Sequence, residues 1–134
     1  MALPNGAGGY QLGDGNLTEA KMGVQTIPTI LTGDTTLTGA QMAVGLVVCQ
    51  KASDATLTVT TATGALLDAA IPSAKIGSCF DLTMTNNNSG TSSTVPVTAG
   101  TGITIYGSVT VPRFGAYTYR FVRTGEATWS AFLM

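Results

Sequence analysis

The side chains with the readiest acid–base, nucleophilic or metal chemistry in this sequence are seven carboxylates and two thiols. The carboxylates are Asp14, Glu19, Asp34, Asp54, Asp68, Asp81 and Glu126, the thiols Cys49 and Cys79, and there is no histidine. Without an imidazole the usual general base is missing, and so are the Ser-His and Cys-His dyads. A paired-carboxylate glycosidase stays open on the residues alone, because such pairs form in space. Most of the acids, however, fall in turns or at solvent-facing strand positions. Asp81 alternates with Phe80 and Leu82, so it is expected to point outward, solvated or hydrogen-bonded. A polysaccharide groove would want several aromatics, and Trp129 has only a few Tyr and Phe beside it. Cys49 and Cys79 each sit in a strand-like apolar segment and read as buried thiols acting as small hydrophobes. A metal site would want more Cys, or some His, nearby. No catalytic, cofactor-binding or metal residue is assigned, and no cofactor is expected.

Three short motifs touch known patterns without completing them. Gly13-Asp14-Gly15-Asn16 lacks the alternating acids and terminal bidentate Glu of a calcium loop. Gly100-Thr101-Gly102 is too short for a phosphate loop and lacks the following Lys, so it reads as a hairpin turn. Asn16-Leu17-Thr18 and Asn87-Asn88-Ser89 match the glycosylation pattern, which has meaning only on a secreted chain. Met1-Ala2-Leu3-Pro4-Asn5-Gly6 shows no basic segment followed by an apolar run, so no secretory signal is expected. The chain is expected to stay in the cytoplasm where it is made, or to leave by lysis, which makes a disulfide unexpected.

The elements that must position these residues follow from composition and period. The chain has 134 residues, enough for one domain with a real core. Apolar residues are 44% of it, but charged residues are only 10% and the formal net charge is -1. Thr, Gly, Ala and Ser therefore carry the surface. Such an exterior does little to prevent association. Six scattered basic residues make no phosphate-tracking stripe, so nucleic acid is not expected as a partner. No apolar run approaches the ~20 residues of a bilayer span, so no membrane is expected either.

Residues 1–33 are Gly-rich and aperiodic, with Leu3, Tyr10, Leu12 and Leu17 as interspersed apolar anchors. That pattern suits an extended arm ordered on a neighbour better than a flexible linker. One short edge strand is expected within residues 22–33, around Pro28. Thr38-Gly39-Ala40-Gln41 fits a capping box opening a single helical turn. Strands are expected at 44–50 (a nearly continuous apolar run, as if covered on both faces) and at 55–61, with Ser53-Asp54 as the turn between them. Thr63 to Ile71 reads as a short helix capped by Thr63 and stopped by Pro72, with Leu66, Leu67 and Ala70 on one side. Further strands are expected at 80–85, 94–98, 103–106, 108–111, 117–123 and 127–133, with Asn86 to Ser93 as an exposed loop tip. On Tyr117-Thr118-Tyr119-Arg120-Phe121, the three aromatics share one face and Arg120 the other. Arg120 and Arg123 read either as outward residues behind an aromatic core face or as partners for a neighbouring subunit. Short strands with Gly turns predict an all-β fold: a β-sandwich or jelly-roll-like barrel over residues 34–134, with one short helix and the arm over residues 1–33. No repeat of solenoid length is visible.

The opening from Leu3 to Asn16 resembles the starts of short, Gly/Thr-rich virion accessory proteins of tailed bacteriophages. Leu66 to Thr85, with Ile71-Pro72 and then Gly77-Ser78-Cys79-Phe80-Asp81-Leu82, is similar to their middle. Ala99 to Trp129 is similar to their strand-rich close. The similarity is one of texture over most of the chain, with no diagnostic motif. It implies a virion location and a capsid decoration or cement role, as a homo-oligomer (a trimer favoured) bound to the major capsid protein. The alternative is an adhesive fibre or spike module for a host glycan.

Overall fold

The structure is a computed structural model that describes residues 23–52 and 54–134. The arm anchors Leu3, Tyr10, Leu12 and Leu17 lie outside the described residues, as does Ser53 of the expected turn. The elements are β1 (Thr29–Leu31), β2 (Thr35–Thr36), α1 (Gly39–Ala43), β3 (Leu46–Cys49), β4 (Val59–Thr60), α2 (Gly64–Ala70), β5 (Cys79–Asn86), β6 (Val95–Thr98), β7 (Ile103–Tyr106), β8 (Thr110–Val111), β9 (Ala116–Gly125) and β10 (Thr128–Leu133).

The strands form two sheets, β1-β3-β5-β9-β10-β7 and β2-β4-β6-β8, in an all-β, sandwich-like arrangement. From β1 to β9 each strand lies in the sheet that its predecessor does not. A chain that crosses over and returns brings its next strand back in the same direction. Five of the eight pairings among the described residues are accordingly parallel: β1–β3, β3–β5, β2–β4, β4–β6 and β7–β10. A jelly roll, built of antiparallel Greek keys, is therefore not the topology. Gly100-Thr101-Gly102 is likewise no hairpin turn, since it carries the chain from β6 in one sheet to β7 in the other. Among the described residues, only β9 and β10 are both consecutive and paired.

The period-2 patterns do set the core. Val47 and Cys49, Leu82 and Met84, Tyr119 and Phe121, and Trp129 and Ala131 point inward from the larger sheet. Val59, Val95, Val97 and Val111 face them from the smaller, and Leu37, Met42, Leu57 and Leu67 complete the cluster. β3 alternates buried and half-buried residues, so one face only is fully covered. β1 occupies an edge beside β3, as Pro28 foretells, so the ordered domain begins before residue 34.

The capping box forms: Gln41 N–H donates to Thr38 Oγ1 at 3.1 Å and Thr38 N–H to Gln41 Oε1 at 2.9 Å. α2 is capped by Thr63. Its inward stripe is Gly64, Leu67 and Ile71, at helical spacing, while Leu66 and Ala70 are exposed. The stretch Asn86 to Ser93 is not simply an exposed tip, because Asn86, Asn88 and Ser93 are buried. This connection closes one end of the sandwich, where its backbone needs internal partners. Asn86 Nδ2 donates to the Ser93 and Val111 carbonyls, and Asn88 Oδ1 accepts Lys51 N–H at 2.7 Å. Cys49 is buried, which pushes its thiol pKa up to about 11. Cys79 is exposed, contrary to expectation, because it opens β5 in the same outward register as Asp81.

Candidate functional site

Among the described residues, Asp34, Asp54, Asp68 and Asp81 each hold a separate, hydrogen-bonded position rather than forming a converging pair. Asp81 and Arg120 face each other across β5 and β9 and pair bidentately, Nε–Oδ1 at 2.8 Å and Nη2–Oδ2 at 3.1 Å, both about half exposed. Arg123 reaches back to Asp68 on α2 in the same fork, at 2.9 and 3.0 Å. Asp68 also accepts Ala127 N–H at 2.8 Å and Trp129 Nε1–H at 2.9 Å. This hub ties α2 to the β9–β10 hairpin. Arg123, then the Ala127 amide, then the Trp129 indole hold the Asp68 carboxyl well below the usual carboxylate range. Arg120 lowers the Asp81 carboxyl, and the Ser92 amide and Thr91 hydroxyl lower that of Asp54. A general acid near neutral pH needs the opposite shift. Among the described residues no three metal-ligating side chains cluster. Arg120 and Arg123, the two arginines singled out by sequence, are thus each engaged within the protomer.

The other prominent surface feature is apolar. Val24, Ile27, Ile30, Ile76, Tyr106, Phe114 and Met134 are each more than half exposed. Val24 and Ile27 lie on extended chain leading into edge strand β1, anchored by Gln25 Nε2 donating to the Val44 carbonyl at 3.1 Å. At the opposite edge Tyr106 stacks on Phe132 with ring centroids 5.2 Å apart.

Where β1 and β3 end, a groove of about 430 Å³ opens between Ile30, Thr32, Gln50, Lys51, Ala52, Asn87, Ser89 and Phe114. Phe114 comes from the turn Pro112-Arg113-Phe114-Gly115, closed by Gly115 N–H donating to the Pro112 carbonyl at 3.0 Å. Phe114 is the third residue of that turn and has φ 56. A turn with positive φ at this position favours Gly or Asn, since a Cβ there costs about 1–2 kcal/mol. Phe114 is nonetheless 63% exposed, with the Arg113 guanidinium 4.3 Å from the ring centroid. The groove and the Asp68 hub both went unrecognised in the sequence. The local signal for the first was Pro112-Arg113-Phe114-Gly115, a turn phrase with an aromatic before the Gly. The hub had none, since Asp68 is 55 to 61 residues from its donors.

No family model, no curated protein and no solved structure matches the chain.

Proposed function

We propose that this chain is a non-enzymatic structural protein of a bacteriophage particle, a capsid decoration or cement protein that binds the shell exterior as an oligomer and stabilises it. The observation that carries the reading is the set of large apolar side chains left open on a body with very little charge. Exposed apolar groups gathered at sheet edges mark association surfaces. The textural resemblance to phage accessory proteins supplies the kind of partner, the major capsid protein. Packaged DNA strains a shell outward, and a small protein bridging its seams adds buried area across them. A trimer on a local threefold would let three weak contacts act together, raising avidity by about 10²–10⁴.

Co-sedimentation of the purified chain with shells stripped of accessory proteins tests this. Saturable binding at a symmetry-compatible ratio is expected, and absence of binding well above micromolar concentration would sink the reading. The adhesive alternative has one observation in its favour. The exposed Tyr106–Phe132 pair shares a cross-strand row with Asp81 and Arg120, placing aromatic rings beside polar groups suited to sugar hydroxyls. A glycan array decides it, with loss of binding in Tyr106→Ala as the expected signature.

A further inference from the structure

The groove beside Phe114 has a chemistry of its own. Its walls offer two open apolar side chains, Ile30 and Phe114. Its cations are Lys51, in the wall, and Arg113, stacked on Phe114. Among the described residues, the side-chain hydrogen bonds of these two go to backbone carbonyls, Lys51 Nζ to Thr56 and Arg113 Nη2 to Ser89. Arg120 and Arg123, by contrast, are each forked onto a carboxylate. The nearby acid is Asp54, on which Arg113 acts only weakly and whose oxygens already accept from Thr91 and Ser92.

We infer that this groove is a docking site for a peptide segment of a partner protein that carries an apolar side chain next to a carboxylate. The apolar group seats between Ile30 and Phe114, and the carboxylate meets Lys51 and Arg113. Aromatic and Arg side chains at the centre of a pocket are the usual anchors of protein interfaces. The left-handed backbone of Phe114 points the same way. A bulky residue is held where glycine fits better, and its ring is spent on solvent rather than on the core. Such strain collects at binding sites. One cation in the wall and a second stacked on Phe114 suit a short acidic peptide and not a phosphate backbone, which needs a stripe of them.

The inference rests on the shell-binding reading, and the test separates the two. Wild-type chain, Phe114→Gly and Lys51→Glu are compared for binding to stripped shells. ¹⁵N-labelled chain is titrated in parallel with a capped tetrapeptide of alternating aspartate and leucine. Both variants should bind shells at least about tenfold more weakly. Phe114→Gly should do so with an unchanged or raised Tm, because glycine relieves the turn. Peptide-induced amide shifts should gather at residues 30–32, 50–52, 87–89 and 113–115. If both variants bind as the wild type does, the groove assignment falls while the shell reading stands. A clear fall in the Tm of Phe114→Gly would make the ring a packing residue and overturn the assignment too. If the wild type ignores shells, the shell reading falls, and the peptide decides the groove: gathered shifts support it, and scattered or absent shifts refute it. Wild-type binding to duplex DNA or to phosphatidylglycerol vesicles, without a response to the peptide, would replace it with the other ligand class.

Discussion

Phe114 and Ala127 are the two non-glycine residues with left-handed backbone among the described residues, and they sit beyond opposite ends of the β5–β9 ladder. Ala127 is explained from within. Its N–H bonds Asp68, and its carbonyl lies against Gly64 and Gly102, where an added Cβ would collide with that oxygen. Phe114 has its turn hydrogen bond and Arg113 on its ring, and it faces outward. The first kind of strain is offset by internal hydrogen bonds and close packing. The second is offset by little inside the protomer. Function is to be sought not at the most hydrogen-bonded cluster but at the strained position whose cost the fold does not recover.

The hub end is expected to be the more fragile. Trp129→Ala should cost about 3–5 kcal/mol, through loss of the largest buried side chain and of an Asp68 donor. Chemical denaturation would register it, and a loss below about 1 kcal/mol would show that the hub end is loosely packed. Gly64→Ala should cost about 2 kcal/mol or more, because the new Cβ meets the Ala127 carbonyl, which is backbone and has little room to move.

Asp68→Asn should lower Tm more than Asp81→Asn, since Asp68 serves three donor residues and Asp81 only one. The pH dependence has a definite sign. A carboxylate whose pKa is depressed on folding stabilises the protein above its unfolded value, here 3.8, and loses that contribution as pH falls towards the folded value. Wild-type stability should thus be level above about pH 5 and decline below about pH 4, with the decline shallower in Asp68→Asn. Equal slopes in the two proteins would mean that Asp68 is not linked to folding. The smallest effect belongs to Phe114→Gly, with a change in stability within about 1 kcal/mol and in the favourable direction. A loss as large as that of Gly64→Ala would erase the contrast between the two ends.

Much of the frame is legible in the residues themselves. Tyr119 and Phe121 lie inward and Arg120 outward as their alternation requires, and Thr38 and Thr63 cap their helices. Asp81 faces solvent beside its partner. These are properties of residues a few positions apart, where backbone geometry alone dictates the outcome. The errors were of another kind. Local pattern puts Leu66, Leu67 and Ala70 on one side of α2, Cys79 in the core and Asn86 to Ser93 at an exposed tip, whereas only Leu67 of the three is buried, Cys79 is exposed, and Asn86, Asn88 and Ser93 are buried. Each depended on which neighbour the element would meet.

By itself the sequence determined the all-β class, the caps, the facing of β9 and of Asp81 on β5, and the scarcity of charge, because these follow from local period and composition. Only the tertiary structure decided that the chain coils between two sheets with mostly parallel pairing, that Asp68 gathers Arg123, Ala127 and Trp129, and that Phe114 stands over a groove with Ile30 and Lys51. Those outcomes join segments tens of residues apart. They are fixed by which apolar faces bury one another and by which buried polar groups then find partners, and no local pattern encodes that.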